Sequence, residues 1–461
     1  MYRIKIAAPR LGLFALLTVY ASLLALGAHA QDEEITGFYI GGEEQEVAAF
    51  RTRGSGWTST ASGNSSRGEP ATVTWSVVPD NTQLPTGLGE PASNSNLIDF
   101  LDGIHHSGNS PGGADLTLRT WWGLMNSAFE RWDELSGIDY IYEPNDDGTR
   151  LGTTGSNGRG VLGTRGDHRI GGHSIDGQIS PTFLAYNFFP NNSDMVIDTD
   201  EINRWGSSSN NFILFRNMMM HEIGHGFGLN HVESADLFPV LPGHQFGTFL
   251  MEPILNNRFD GPQFDDILGA HRLYGDIYEE NGGNDTYQTA TMLGSLAPAQ
   301  TLSIGTDADD TFVDPTDVDF VSIDDSSDTD FFKFSITSQK TVDIVLTPKG
   351  PTYDEGPQGS GTGGTQQPFV SAAKNNLALT LYGPAGTQML EFSNSTPAGQ
   401  PETISGRHLT TPGDYFVRVT GLNFGQAQFF QLDVTSVPEP TSLLLLLLGG
   451  AAGIATRRRQ S

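Results

Sequence analysis

Residues 221–231 read HEIGHGFGLNH. His221 and His225 are four apart, so on an α-helix their side chains leave one face and can reach a single ion together. Glu222 stands one step round that helix, close to such an ion without being forced to bind it, which is where a base is wanted. Gly228 comes three residues after His225, where a glycine can take a left-handed backbone, end the helix and turn the chain. His231 can then approach as a third ligand. Three neutral imidazoles with one position left open make a catalytic zinc site, whereas structural zinc is usually closed by four protein ligands, often cysteines. The chain has no cysteine. The competing readings are a surface helix with chance histidines, or a metal with only a structural role; the length of the full pattern argues against both.

That pattern, His-Glu-x-x-His-x-x-Gly-x-x-His, resembles the extended zinc motif of the metzincin peptidases at every defined position. The resemblance implies zinc on His221, His225 and His231, Glu222 as the catalytic base, and a methionine turn beneath the metal, for which Met251 in GTFLMEP (247–253) is the candidate. Pro253 stands where astacin-like and serralysin-like enzymes carry a tyrosine, so LMEPIL (250–255) looks like the matrixin turn instead. FDDILGAHRLYGD (264–276) is similar to the last matrixin helix, which closes the catalytic domain. The implied fold over residues 67–277 is an α+β zincin-like domain, a mixed twisted sheet with long helices. ATVTWSVVP (71–79) alternates like a strand, LTLRTWWGLMNSAFERWDELSG (116–137) reads as an amphipathic helix stopped by Gly137, and IDYIYEP (138–144) as the next strand. The loop between Asn81 and Gly113 has no assignment.

SIDGQISPTFLAYNFFPNNSDMVIDTDEINRW (174–205) resembles the matrixin segment that runs from a calcium-binding Asp-Gly through the substrate-edge strand to an Asp-x-Asp-Glu motif. Carried over, Asp176, Asp198 and Glu201 become carboxylate ligands of a structural Ca2+, a hard cation that prefers oxygen; read by themselves they are solvated loop acids. The chain departs from the family where matrixins place histidines of a second, structural zinc, because Tyr186 and Val196 stand at the matching positions. The second zinc is expected to be absent, and His168 and His173 are expected to lie in loops.

The two ends carry addresses. Arg3, Lys5 and Arg10 precede an apolar run, and AHA at 28–30 offers small residues for cleavage, so residues 1–30 read as a secretory signal peptide for signal peptidase. At the other end, residues 436–461 combine Pro438-Glu439-Pro440, a short apolar stretch and the cluster Arg457, Arg458, Arg459. The tail resembles the PEP-CTERM sorting signal of Gram-negative bacteria, which implies transient anchoring in the inner membrane, cleavage by an exosortase, and a final place at the cell surface, in the extracellular matrix or in the medium. Residues 1–30 and 441–461 each hold three basic residues and no acidic one, so without them the formal charge of −29 becomes −35. Such a surface repels nucleic acid and anionic lipid. Without cysteine there can be no disulfide and no cysteine-switch propeptide. Residues 31–66, polar and rich in glycine and serine, are either a short propeptide or a disordered arm.

From about residue 283 the periodicity changes. FFKFSI, TVDIVLT, LALTLYG and DYFVRVTG recur between turn residues, as in an all-β sandwich. NDTYQTATMLG, DTDFFKFSI and TPGDYFVRVTG resemble the hallmarks of the bacterial pre-peptidase C-terminal domain, placed here at 283–435. Ten aspartates and no lysine or arginine fall between 301 and 330, expected to be solvated or shared with a cation. The sequence therefore points to a secreted zinc endopeptidase acting on protein or peptide substrates, its chemistry confined to the first domain and the sandwich a separate unit. The alternative is a matrix or adhesion protein that keeps the zincin fold for binding; the intact Glu222 speaks against it.

Overall fold

The structure is a computed structural model and describes residues 34–35, 50–105, 113–152, 158–177, 183–235, 249–308, 312–357, 367–423 and 425–438. The expected signal peptide and the apolar part of the tail lie outside these residues. Among those described, no helix is long and apolar enough to cross a membrane.

The first half runs β1 (Glu34–Ile35), β2 (Ala71–Val77), α1 (Leu97–Ile104), α2 (Trp122–Asp133), β3 (Ile138–Tyr142), β4 (His168–His173), β5 (Ala185–Asn187) and β6 (Met195–Asp198). It continues with α3 (Ile202–Trp205), α4 (Ile213–Phe227), β7 (Val232–Ala235), β8 (Ile254–Leu255) and α5 (Phe264–Tyr274). The main sheet has the order β3-β2-β4-β6-β5, parallel throughout except for β5, which pairs antiparallel with β6 at the edge. This is the expected mixed sheet. Trp75 on β2 fastens α2 to it, stacked between Trp122 (ring centroids 5.2 Å apart) and Phe129 (4.2 Å).

Four local expectations change. The helix read over 116–137 is shorter, because Asp115 caps a single 3-10 turn at Leu116–Leu118 and the α-helix begins only at Trp122. The unassigned loop holds α1, whose first amides, Ile98 and Asp99, donate to the Asp80 carboxylate (3.0 and 2.9 Å). A cap supplied from so far back in the chain leaves no local signal. His168 and His173 are not in a loop; they begin and end β4, buried between β2 and β6. HRIGGH has a single β-branched residue, Ile170, and two glycines, so it lacks the usual mark of a strand, and both faces of this one are covered. Residues 50–66 are not a disordered arm: the Arg53 amide donates to the Gly228 carbonyl (2.8 Å) and the Asn230 amide to the Arg51 carbonyl (2.7 Å). Trp57 is fully buried, its amide donating to the Tyr274 hydroxyl (2.8 Å).

The second half is the expected sandwich, in strands β9 (Thr291–Ser295), β10 (Thr301–Ile304), β11 (Ser322–Ile323), β12 (Thr329–Ile336), β13 (Lys340–Pro348) and β14 (Thr352–Pro357). They are followed by β15 (Gln367–Val370), β16 (Leu377–Tyr382), β17 (Met389–Ser393), β18 (Glu402–Leu409), β19 (Gly413–Gly421) and β20 (Gln428–Val437). One sheet runs β10-β20-β13-β18 with β11 also on β20, the other β17-β16-β19-β12-β9. Alternate residues such as Val342, Ile344 and Leu346 meet Leu379, Leu381, Val417 and Val419 in the core between them.

The sandwich is not a separate unit. Val313, Phe320, Tyr353, Phe369 and Phe429 belong to the same apolar cluster as the residues of α4 and α5. Helix α5 is buried along its whole length. His271 bridges the two halves, one ring nitrogen 2.9 Å from Ser322 Oγ, the other 2.6 Å from the Leu135 carbonyl, with Phe429 against the ring at 5.4 Å. Among the described residues, the aspartates of 301–330 divide: Asp324 meets Arg272 of α5 at this junction (3.3 Å), whereas Asp314 is exposed. Asp307 and Asp319 accept backbone amides of the loop, while Asp324 and Asp330 are buried.

A shared core unfolds as one body. Scanning calorimetry should show a single transition for both halves, and Phe429→Ala should lower it by about 3–5 kcal/mol of stability. Two resolved transitions, with only one moved by that substitution, would refute the shared core.

Candidate metal centre

The helix that carries the histidines is apolar on all sides. Ile213, Phe215, Met218, Met219, Met220, Ile223 and Phe227 are all buried. The Trp132 indole donates to the Met220 carbonyl (3.0 Å), pinning α4 to α2. Asn217, fully buried, donates to the Asn256 and Phe259 carbonyls (3.1 and 2.9 Å) and accepts from the Gly261 amide (2.9 Å), which holds the chain after the methionine turn. Neither role is visible in sequence, because each depends on a partner far along the chain.

The helix ends at Phe227. Gly228 has φ +124°, a backbone that side-chain-bearing residues rarely adopt, and the Leu229 amide returns to the Gly224 carbonyl (2.8 Å). The turn brings His231 Nε2 to 3.1 Å from His221 Nε2 and 3.0 Å from His225 Nε2. His221 Nδ1 lies 2.6 Å from the Leu250 carbonyl and His225 Nδ1 2.7 Å from the Leu229 carbonyl. A carbonyl can only accept, so both Nδ1 atoms carry the proton and both Nε2 lone pairs point inward. Burial pushes the His221 ring down to about 3 and His225 well below the usual range, with the neighbouring imidazoles adding to it. Three neutral rings with converging lone pairs suit a borderline metal. Tetrahedral zinc with bonds of ~2.0–2.1 Å holds its nitrogens roughly 3.3 Å apart, close to what the side chains show.

Glu222 is fully buried, and neither of its carboxylate oxygens has a hydrogen-bond partner among the described residues. Burial pushes its carboxyl up to about 8; a dication beside it would favour the carboxylate again. Met251 packs under the helix, with its Sδ where a Cβ on Gly224 would come within 2.5 Å. A Cβ on Gly226 would meet Ser193 Oγ at 2.5 Å and His168 Cε1 at 2.7 Å. These two glycines let the methionine turn and β4 approach the helix, and their density within the motif was the one signal for it. His168 thus supports the helix from below, its Nδ1 3.0 Å from Ser193 Oγ. His173 faces Glu90 (3.5 Å), whose carboxylate also accepts from the Tyr186 hydroxyl (2.8 Å).

Asp176, Asp198 and Glu201 are not gathered into one ligand set. Asp176 accepts the Phe183 amide (2.9 Å), Asp198 accepts those of Ile175 and Asp200 (3.1 and 2.9 Å), and Glu201 pairs with Arg204. Carboxylates converge elsewhere: ligand atoms of Glu279, Asp285 and Asp328 lie within 4.8 Å of one another at the junction of the two halves. Asp276, Asp324 and Asp330 add their charge to the same region.

Residues 115–275 match the family model of matrixin, residues 328–421 that of the bacterial pre-peptidase C-terminal domain, and residues 436–459 that of the PEP-CTERM protein-sorting motif. The chain carries a matrixin domain. The three matches fall in the order read from the sequence, and the matrixin match takes in all three histidines, Glu222 and Met251. No curated protein matches the chain. Among solved structures, the pre-peptidase C-terminal domain of a collagenase from Bacillus anthracis is similar at 15% identity, over 32% of this chain and 94% of that one, with a TM-score of 0.18. The matrixin domain supports a metallopeptidase, and its histidine triad could hold the zinc such enzymes use.

Gly226→Ala should destabilise the matrixin domain by about 1–3 kcal/mol in urea unfolding, the usual cost of forcing a methyl group into a packed site; an unchanged midpoint would show that the neighbours yield freely. The acidic junction should respond to pH. Burial, then mutual repulsion, pushes Asp276 and Asp324 up to about 7, Glu279 to about 9, and Asp328 and Asp330 well above the carboxylate range. Groups whose folded pKa is raised stabilise the fold while protonated and lose that contribution as pH rises through the folded value. The melting temperature should therefore fall as pH rises from about 4, where the unfolded carboxyls ionise, to about 9 in buffer free of added divalent cations, and calcium should restore it. A flat profile in both buffers would refute this.

Proposed function

We propose that this chain is an exported zinc endopeptidase that hydrolyses internal bonds of proteins or peptides, with His221, His225 and His231 holding the metal. Zinc held there would supply Lewis-acid chemistry, lowering the pKa of a bound water to about 7 and polarising the scissile carbonyl. Glu222 takes the proton of the attacking water and delivers it to the leaving amine. One observation carries this reading: a fully buried carboxylate with no hydrogen-bond partner among the described residues, next to His221 on the helix. A structural or binding site would gain nothing from an ionisable group left so costly. Met251 forms the floor of the site and takes no part in the chemistry.

The substrate's place is supported by the sheet. β5 is the outer strand of the main sheet among the described residues, and we place an extended peptide on that side. Phe189, two residues beyond it, lies 5.8 Å from the His225 ring. The PEP-CTERM motif supports export and sorting; we assign removal of residues 1–30 to signal peptidase and of the tail to an exosortase. The Ca2+ role expected of Asp176, Asp198 and Glu201 remains a proposal, and the converging ligand atoms of Glu279, Asp285 and Asp328 support a second, separate place for such an ion.

Glu222→Gln separates metal binding from proton transfer. Elemental analysis should still find one zinc per chain, while turnover of a short peptide falls about 10²–10⁴-fold. His225→Ala should lose both. Near-normal turnover by Glu222→Gln with zinc in place would overturn the proposed base and return the binding-protein reading.

A further inference from the structure

Strand β7 begins at the residue after His231, and its antiparallel partner lies in the C-terminal half of the chain, outside the two sheets of the sandwich. Val232 pairs with Pro357, Glu233 with Gly356, Ser234 with Glu355 and Ala235 with Asp354. The partner, β14, pairs in turn with β15, so a hairpin of the C-terminal domain forms a three-stranded sheet with the segment leaving the third histidine.

At the base of this hairpin stands Tyr353, about 2% exposed. Its ring packs against Phe249 (centroids 4.8 Å) and Phe369 (5.2 Å), and its hydroxyl donates to Asp265 Oδ1 (2.7 Å). Phe249 is the first described residue of the methionine turn. Asp265 lies in the first turn of α5, and its neighbour Asp266 accepts the Leu250 and Met251 amides (2.7 and 3.0 Å). From there two bonds reach the metal ligands. The Leu250 carbonyl fixes the His221 ring (2.6 Å), and the Met251 carbonyl accepts the Val232 amide (3.1 Å) next to His231. An unbroken set of contacts thus runs from a side chain of the C-terminal half to two of the three imidazoles.

We propose that the β14–β15 hairpin is a working part of the peptidase site, and that Tyr353 is a positioning residue that fixes the methionine turn and, through it, the His221 and His231 imidazoles. The proposal rests on the zinc-peptidase reading and extends it: the catalytic centre is completed by the second domain. The physical reason is reach. The segment from 232 to 251 must hold a ligand at one end and the floor of the site at the other, and its length leaves both ends in need of anchors beyond α4. Partners just outside the ligands orient the rings, and their loss typically costs 10–100-fold in metal affinity or activity. Tyr353 acts one contact further out, so its effect belongs at the lower end of that range.

The test uses the full chain, loaded with zinc. Tyr353→Phe keeps the ring on Phe249 and removes only the hydroxyl; Tyr353→Ala removes both. Zinc release into a colorimetric chelator should quicken about tenfold in the Phe variant and more in the Ala variant. For a short peptide, kcat should fall in the same order while KM stays within about twofold, since uniform binding is untouched. Val342→Ala, in the sandwich core away from the hairpin, is the control: it should lower the melting temperature and leave zinc release by the folded protein unchanged. If Tyr353→Ala does not fold, Tyr353→Phe alone decides. Wild-type zinc release and kcat in Tyr353→Phe would overturn the positioning role while leaving the peptidase intact. Equal effects from Val342→Ala would reduce Tyr353 to a general structural role and overturn it too. A wild-type chain that takes up no zinc would overturn the underlying reading as well.

Discussion

Everything in this structure depends on keeping four ionisable side chains inside an apolar surround. His221, Glu222 and His225 lie on α4, and His231 returns to it, all nearly closed off from water. Burial holds the His221 and His225 imidazoles neutral and raises the Glu222 carboxyl, because it disfavours the charged form of each. Neutral imidazoles are metal ligands, and a carboxyl with a raised pKa is suited to exchanging protons near neutrality. The same desolvation that would destabilise an ordinary helix makes this one chemically useful. Its cost is offset only if a cation sits where the three Nε2 atoms converge.

Burial on all sides requires neighbours on all sides. α2 covers one flank through Trp132, β4 lies beneath through His168, and α5 closes the end of the helix through the Tyr274 hydroxyl on the Phe227 carbonyl (2.6 Å). The N-terminal stretch from Phe50 to Trp57 covers the turn at Gly228. Helix α5 is itself buried on every face, so it needs a second cover, and the sandwich supplies it. The accessory domain is therefore joined to the site by the demand for buried surface, not by a linker alone. The aspartates at the junction crowd carboxyl groups where two domains meet, and burial with mutual repulsion favours their protonated forms.

The motif at 221–231 was legible because a helix sets the distance between residues four apart, and the glycine that ends it sets the direction in which the chain leaves. The sandwich was legible because alternation of apolar residues over many short stretches has few other outcomes. β4 was not, since a strand covered on both faces needs no alternation, and HRIGGH shows none. The contacts of Asp176, Asp198 and Glu201 with nearby amides and with Arg204 were not legible either, because each depends on how the loop folds back on β6.

The sequence by itself determined the chemistry: three histidines, a glutamate and a turn glycine stand within eleven residues, and local backbone geometry is enough to bring them together. It also determined the kinds of domain and their order. Only the tertiary structure decided that the two domains share one core and that a tyrosine 122 residues beyond His231 bonds the first turn of α5. Contacts of that range depend on how two hydrophobic faces find each other, and no pattern within a helix or strand encodes which face of which neighbour will cover it.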